Sequence, residues 1–355
     1  MRPWEKNIRQ VVPYVPGEQP AGDKIVKLNT NENPYPPAPG VKKVLEEMEA
    51  DRLRKYPDPT ASILVKELAS YYGLNEDQVF VGVGSDDVLA MSFLTFFNSD
   101  KPVLFPDVTY SFYKVWADLF KVPFETPVLK EDFTIDVKDY EKENGGVIFP
   151  NPNAPTGVYM PLDQVEEILK ANQDVVVIVD EAYVDFAGPS ALELLDKYEN
   201  LLVVQTFSKS RSMAGMRIGY GFAMGHPDLI RALNDVKYSY NSYTMNLPSL
   251  LAGVEAVKDK EYFEKTIEKI VATRERAKKR LTELGFTFPN SQSNFIFASH
   301  KSVPAGKIFE ALKKEQIYVR YFKTPGLDNS LRISIGTDEE MDTLFRFLEA
   351  YLPNA

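Results

Sequence analysis

Two short apolar runs in the middle of the chain constrain its fold more than any other feature. Val175–Val179 and Leu201–Val204 are rich in aliphatic and β-branched residues, and polar segments flank both runs. Continuous apolar runs of this length are typical of strands buried on both faces, as in a parallel sheet. A short helical interval separates them, which suits a right-handed crossover between parallel strands. The sequence therefore predicts an α/β fold with a mostly parallel sheet flanked by helices.

Each run is followed by side chains that can bind a ligand. Asp180 and Tyr183 follow the first run, and four polar residues follow the second: Thr206, Ser208, Lys209 and Arg217. In open α/β sheets, ligands lie in the crevice outside the carboxyl ends of the strands. We therefore expect these side chains to converge on one pocket.

A lysine, a carboxylate and an arginine near hydroxyl groups are the residue types that pyridoxal phosphate requires. Its aldehyde forms a Schiff base with a lysine, and a carboxylate keeps its ring nitrogen protonated. Its phosphate is bound by hydroxyls, backbone N–H groups and an arginine. Taken singly, Asp180 could be a turn or helix cap and Lys209 a solvated loop residue. Their order on adjacent predicted strands indicates a cofactor site.

The same stretch resembles the fold-type I pyridoxal-phosphate aminotransferases. Their pattern is an aspartate on one strand and S-K-x-x-x-x-A-G-x-R on the next, and this sequence has Ser208-Lys209 followed by Ala214-Gly215-Met216-Arg217. The resemblance extends over essentially the whole chain and is greatest to the histidinol-phosphate aminotransferases. It implies a large cofactor-binding domain over residues 31–246. It also implies a smaller α+β domain formed by residues 247–355 with an irregular N-terminal arm, residues 1–30.

The resemblance implies further cofactor contacts in the N-terminal half. Gly84-Ser85-Asp86 follows a predicted strand and begins a predicted helix, and helix starts bind phosphate through free N–H groups and the helix dipole. A plain capped helix start is the alternative. We expect the backbone and the Ser85 hydroxyl, rather than an acidic side chain, to bind the phosphate. Tyr110 is expected to stack on the pyridine ring.

One motif departs from the family pattern. The usual N-P-x-N-P-T-G reads here as N-P-N-A-P-T-G over residues 151–157, so Ala154 replaces the asparagine that binds the ring oxygen of the cofactor. We expect either Asn153 to take over this contact or Tyr183 to hold the ring oxygen alone.

The substrate residues implied by the resemblance come from both ends of the chain: Tyr14, Asn33, Asn294, Arg320 and Arg332. Arginine suits this role because its planar fork meets a carboxylate or phosphate in two hydrogen bonds. An ordinary surface ion pair is the alternative for Arg320, and packing in an extended arm is the alternative for Tyr14. The resemblance further implies a homodimer, in which Tyr56 would contact the cofactor phosphate of the other subunit.

Composition excludes several other classes of function. The chain has no cysteine, which rules out thiol nucleophiles, disulfides and cysteine metal sites. Its two histidines, His226 and His300, are far apart and predicted at the surface, so we expect no metal site. The net charge of −10 does not favour nucleic acid. We find no apolar run of membrane-spanning length and no signal peptide, so we expect a cytoplasmic protein.

The reaction implied by the resemblance is transamination between L-histidinol phosphate and 2-oxoglutarate, with Lys209 as general base and acid. An aromatic amino-acid aminotransferase would need nearly the same anion site. A threonine-phosphate decarboxylase would use the same Lys209 and Asp180 but release carbon dioxide. A non-catalytic regulatory module is the alternative from another class. Known regulators of this type carry a basic DNA-binding segment, which we do not find at residues 1–30.

Overall fold

The computed structural model describes residues 2–22, 24–224 and 229–355. Its strands are β1 Val26–Leu28, β2 Val79–Gly82, β3 Val103–Leu104, β4 Phe124–Glu125, β5 Gly146–Pro150, β6 Val177–Asp180, β7 Leu201–Thr206, β8 Gly219–Ala223, β9 Phe286–Thr287, β10 Phe295–His300, β11 Ile317–Tyr321 and β12 Leu331–Ser334. Its α-helices are α1 Pro39–Glu46, α2 Ser62–Tyr72, α3 Ser85–Phe96, α4 Phe112–Phe120, α5 Leu162–Ala171, α6 Leu229–Tyr240, α7 Leu247–Lys258, α8 Lys260–Glu283, α9 Ala305–Lys314 and α10 Asp338–Tyr351.

A seven-stranded sheet forms the larger part of the molecule, in the order β2-β8-β7-β6-β5-β3-β4. β8 is antiparallel to both of its neighbours, and the other neighbouring strands are parallel. The central strands β5, β6 and β7 are buried at every position. Val177 and Val179 pack into the cluster on one face, whereas Ile178 packs into the cluster on the other. This double burial accounts for the continuous apolar runs and confirms the predicted α/β class.

A second, five-stranded sheet has the order β1-β11-β12-β10-β9. β1 runs parallel to β11, and the other pairs are antiparallel. Helices α8, α9 and α10 contribute buried residues to its core. The irregular arm expected over residues 1–30 therefore contains one strand. β1 was missed because three residues with Lys27 at the centre give no apolar run, and the strand forms by pairing with the distant β11.

The packing of α7 bears on the predicted domain boundary. Residues 247–355 were expected to belong to the smaller domain, yet α7 packs against α1 and α2. Its residues Leu250 and Ala256 are buried in the core of the seven-stranded sheet. We therefore propose a boundary near Asp259, which caps the start of α8. The division into two domains otherwise stays a prediction.

The structure tests the predicted surface position of one of the two histidines. His300 was predicted at the surface, but this prediction was wrong, since its side chain is buried at the end of β10. Its Nδ1 accepts hydrogen bonds from the N–H groups of Ser302 and Val303, so Nε2 carries the proton and donates to the carbonyl of Leu284, 3.0 Å away. His226 lies outside the described residues. None of the described helices has the length and hydropathy to cross a membrane.

Candidate active site

A cavity of about 460 Å³ lies at the carboxyl ends of the central strands, between the two sheets. Residues of the large sheet, the small sheet and the N-terminal arm all line it. The predicted site residues in its lining are Tyr14, Ser85, Asp86, Tyr110, Asp180, Tyr183, Thr206, Ser208, Lys209, Arg217, Arg320 and Arg332. The polar side chains that follow β6 and β7 thus meet at one edge of the sheet.

One end of the cavity is formed by the start of α3 and the loop after β7. Gly84 precedes α3 with φ +85°, a conformation that favours glycine. A Cβ atom on Gly84 would lie 2.5 Å from Nη2 of Arg217, so the guanidinium can occupy this place only beside a glycine. Nη1 of Arg217 lies 3.5 Å from the Ser208 hydroxyl, which is itself 3.0 Å from that of Thr206. The free N–H groups of the helix start, the hydroxyls and the guanidinium together form an anion cradle.

Asp86 fixes two neighbours at this end rather than presenting a free carboxylate. Its Oδ1 accepts a 2.8 Å hydrogen bond from the Tyr110 hydroxyl, and its Oδ2 lies 3.2 Å from Nη2 of Arg217. Burial raises the pKa of Tyr110 well above its ordinary value, and the Asp86 charge adds to this effect. Tyr110 therefore stays protonated and holds its ring at the cavity wall. Asp87 accepts from the Val83 N–H and is absent from the cavity lining.

Asp180 is a buried carboxylate at the end of β6. Its Oδ2 accepts from the Tyr113 hydroxyl at 2.8 Å, and its Oδ1 accepts from the N–H of Ala182 at 3.2 Å. Burial raises the pKa of Asp180 to about 6, and this effect outweighs the hydrogen bonds from Tyr113 and Ala182 and the charge of Lys209, which all lower the pKa. Sequence reasoning missed Tyr113, although it lies three residues after Tyr110 and at this spacing can share a helix face with it.

Lys209 and Tyr183 lie side by side in the middle of the cavity. Nζ of Lys209 donates to the carbonyl of Thr30 at 3.2 Å and lies 5.8 Å from the centre of the Tyr183 ring. The Tyr183 hydroxyl accepts a 2.9 Å hydrogen bond from Nδ2 of Asn31. Tyr183 packs edge-on against Phe295 of the small sheet, so the two sheets meet at this ring.

Two arginines stand at the opposite end of the cavity. Arg320 on β11 and Arg332 on β12 are cross-strand partners. Nη2 of Arg332 donates to the carbonyl of Asn29, its Nε is buried without a hydrogen-bond partner, and burial lowers its pKa. Neither arginine forms an ion pair with any described carboxylate. Like charges opposite each other destabilise a sheet, and an anion bound between the two guanidiniums would relieve this repulsion.

Comparisons with known proteins identify the family of this chain. A model of the class I and II aminotransferases matches residues 23–348. The chain belongs to this aminotransferase family.

This aminotransferase also has close relatives over its whole length. It is 49% identical to the histidinol-phosphate aminotransferase of Lactococcus lactis subsp. cremoris, and the alignment covers 99% of this chain and 98% of the relative. It is 53% identical to that of Clostridium acetobutylicum, over 95% of this chain and 96% of the relative. Among solved structures, that of histidinol-phosphate aminotransferase from Sinorhizobium meliloti in complex with pyridoxal-5'-phosphate matches with a TM-score of 0.81 and 25% identity, over 92% of this chain and 89% of that one. The predicted resemblance is confirmed.

In this aminotransferase, the Asn153 side chain makes its hydrogen bonds outside the cavity lining. Nδ2 of Asn153 donates to the carbonyl of Val108 and to the Thr156 hydroxyl, both at 3.0 Å, and the residue is absent from the cavity lining. Ala154 lines the cavity with its methyl group instead. Of the two predicted alternatives, only Tyr183 lies in the cavity lining, and its contact with the ring oxygen stays a prediction.

Two further predicted substrate residues lie behind the cavity rather than in its lining. Asn33 donates to the carbonyl of Ser210 at 3.0 Å. Asn294 is fully buried, and its Nδ2 donates to the carbonyl of Asn31 at 2.9 Å. The cavity is instead lined by the preceding residues of the same segment: Thr30, Asn31 and Glu32. The signal in the sequence was the asparagine-rich segment at residues 29–33, which reads N-T-N-E-N. The turn geometry of this segment decides which of its side chains face the cavity.

Tyr56 does not reach the cavity of its own chain. It is 81% exposed, and its ring stacks on that of Tyr243 with centroids 4.5 Å apart. From this position, Tyr56 can reach a cofactor site only if that site belongs to another subunit. Its role across a dimer interface stays a prediction.

Proposed function

We propose that this aminotransferase transfers the amino group of L-histidinol phosphate to 2-oxoglutarate, giving imidazole acetol phosphate and L-glutamate, a step of histidine biosynthesis. The observation that carries the proposal is the pair Arg320 and Arg332, which stands across the cavity from the lysine without an acidic partner. One end of the cavity can thus hold a cofactor phosphate while the other holds an anionic substrate group. The curated relatives, about half identical over nearly the whole chain, support the choice of substrate.

Pyridoxal phosphate is the cofactor that we propose, and the residues fit it. The anion cradle at Gly84 has the donors that a phosphate needs, and a Cβ at that position would displace Arg217. Asp180 is a buried carboxylate whose pKa burial raises to about 6, although the charge of Lys209 lowers it. A pyridinium nitrogen beside it would be a closer cationic partner and would lower the pKa of Asp180 again. When bound, the cofactor supplies an aldehyde that accepts the amino group and a ring that withdraws electrons from the substrate carbon.

The residues of the chain divide the remaining work. Lys209 would hold the cofactor through its Nζ and, as a free amine, would move the proton from the substrate carbon. Asp180 would keep the ring nitrogen protonated, and the Tyr183 hydroxyl would donate to the ring oxygen. Arg320 and Arg332 hold the phosphate of the first substrate and then a carboxylate of the second. The same two arginines therefore serve both halves of the reaction.

We also propose a homodimer in which Tyr56 contacts the cofactor phosphate of the partner subunit. Tyr56 and Tyr243 are exposed and stack on each other, and the large side chains of Leu53 and Tyr240, close to them in the sequence, are exposed as well. Exposed apolar surface of this kind is typical of an interface. A molar mass equal to one chain at working concentration, with full activity, would remove this role.

A single half-reaction tests the proposed substrate. Cofactor-loaded protein is mixed in turn with L-histidinol phosphate, phenylalanine and threonine phosphate, and its visible absorption is followed without any 2-oxo acid. We expect histidinol phosphate to convert the cofactor far faster than phenylalanine does. If phenylalanine is faster, the protein is an aromatic aminotransferase. If only threonine phosphate reacts and carbon dioxide is released, the reaction class is wrong and only the cofactor site is retained.

A further inference from the structure

Asn31 occupies an unusual position beside the proposed catalytic tyrosine. It is 1% exposed, and its φ of +57° lies in the left-handed region, which asparagine tolerates better than most residues. Its N–H donates to the Ser334 hydroxyl at 2.9 Å, and its carbonyl accepts from Nδ2 of Asn294 at 2.9 Å. Its Nδ2 donates to the Tyr183 hydroxyl at 2.9 Å. The small sheet and the segment before β10 thus clamp Asn31 against Tyr183.

The hydrogen-bond pattern fixes which end of the Asn31 amide faces the tyrosine. The Ser334 hydroxyl accepts from the Asn31 N–H, so its own hydrogen is free to be donated to Oδ1 of Asn31, 3.1 Å away. This places the NH₂ group toward Tyr183. An amide NH₂ group can only donate, so the Tyr183 oxygen must accept, and its single hydrogen remains for another acceptor.

The described cavity lining lacks the asparagine that serves as a second donor in the family pattern. Ala154 contributes a methyl group where the family pattern has an asparagine, and Asn153 is engaged with the carbonyl of Val108. The proposed hydrogen bond to the ring oxygen of the cofactor therefore depends on the direction of the Tyr183 hydroxyl. That direction is set by Asn31.

We propose that Asn31 is a positioning residue that turns the Tyr183 hydrogen toward the ring oxygen of the cofactor, and so offsets the donor that is lost at Ala154. The inference rests on the proposed cofactor but not on the proposed substrate. It assigns Asn31 a role through Tyr183, without contact with the reacting atoms. It also assigns a supporting role to Ser334, because the Ser334 hydroxyl holds the Asn31 amide in the required orientation.

The consequence is a change in the protonation of the nitrogen that joins Lys209 to the cofactor. A hydrogen bond donated to the ring oxygen weakens that oxygen's hold on the shared proton, so the nitrogen loses its proton at a lower pH. Losing the donation raises the pH of this transition by about half a unit to one unit, the worth of one neutral hydrogen bond. Asn31→Gly removes the side chain and keeps the left-handed backbone. Asn31→Asp keeps the shape but accepts the Tyr183 hydrogen and adds a negative charge, so the shift should be larger.

The test is a spectrophotometric pH titration of the cofactor-loaded protein without substrate. The proteins are the wild type, Asn31→Gly, Asn31→Asp, Tyr183→Phe and the double variant Asn31→Gly/Tyr183→Phe. We expect each single variant to titrate at higher pH than the wild type, and the double variant to coincide with Tyr183→Phe. Ser334→Ala should shift the midpoint in the same direction by less. It provides a second route should a variant at Asn31 fail to fold.

Two outcomes would overturn the inference. Asn31→Gly could titrate with the wild type, or it could produce the same shift in the Tyr183→Phe background, which would mean that Asn31 acts through packing alone. A loaded wild-type protein without any titrating visible band would overturn the proposed cofactor and this inference with it. A half-reaction that favours another amine would leave both the cofactor and the role of Asn31 intact.

Discussion

The two ends of the cavity are built in different ways. At the cofactor end, the charged side chains already have side-chain partners, as in the contacts of Asp86 with Arg217 and of Tyr113 with Asp180. At the proposed substrate end, the hydrogen bonds of Arg320 and Arg332 to described residues go only to backbone carbonyls of the N-terminal segment, and the two guanidiniums lie over the rings of Phe295 and Phe322. The first end is thus fixed before anything binds, which suits a cofactor that stays in place. The second end keeps its charges available, which suits two anionic substrates that bind in turn.

The largest effect should come from the residue between the two ends. Lys209→Ala removes the amine that holds the cofactor and moves the proton, so transamination should fall at least about 10³-fold. Single-turnover absorption after mixing with L-histidinol phosphate measures the loss. Lys101→Ala, the same change at an exposed lysine, is the matched control. Full activity in Lys209→Ala would refute the catalytic assignment.

Asp180→Asn should stabilise the cofactor-free protein at alkaline pH and at the same time weaken the binding of the cofactor. The folded-state pKa of about 6 lies above the usual value, so the cofactor-free protein loses stability as pH rises from about 4 to above 6. The neutral amide avoids this loss, and the variant should be more stable than the wild type at pH 8 by up to roughly 3 kcal/mol, with less advantage at pH 4.

Urea unfolding of the cofactor-free proteins at both pH values measures this difference. Glu181 is also buried with a raised pKa, so only the difference between variant and wild type isolates Asp180. Asp118→Asn makes the same change at an exposed position of α4 and is the control. The variant should nevertheless bind pyridoxal phosphate more weakly. A variant that is less stable than the wild type at pH 8 would contradict the account.

Replacing Arg217 at one end and Arg332 at the other end by lysine should show whether the two ends of the cavity act independently. Arg217→Lys should weaken cofactor binding roughly 10- to 100-fold, the worth of a charged hydrogen bond, with little change in KM for either substrate. Arg332→Lys should raise KM for both substrates by a similar factor with unchanged cofactor affinity. Equilibrium dialysis and steady-state kinetics on both variants measure these constants. A mixed response, with both constants changed in both variants, would show that the ends are not independent.

Arg320→Gln should have a smaller effect, of about three- to ten-fold in KM. Its guanidinium donates to the carbonyls of Val15 and Pro16, so part of its role is to hold the arm that carries Tyr14. Protease cleavage within residues 8–20 should become faster in the variant. Cleavage at the wild-type rate, with a KM effect as large as that of Arg332→Lys, would make Arg320 a full substrate ligand.

The same contrast explains what could be predicted from the sequence. Asp180, Lys209 and Arg217 follow two neighbouring strands, and short local segments bring them to one sheet edge. The contact of Arg332 with Asn29 spans 303 positions in the chain, and that of Asn31 with Tyr183 spans 152. These pairings depend on β1 joining β11, which leaves no periodic signal in three residues. Local chemistry was therefore predictable, whereas the partners across the two sheets required the fold.

The most direct test of the account compares L-histidinol phosphate with L-histidinol, which lacks the phosphate. In the wild type, kcat/KM should favour the phosphorylated amine by at least about 100-fold, since the two arginines would otherwise face an uncharged group. In Arg332→Ala this preference should fall to within about ten-fold, through loss of activity on the phosphorylated amine alone. A preference that persists in the variant would place the substrate phosphate elsewhere and contradict the assignment of the substrate end.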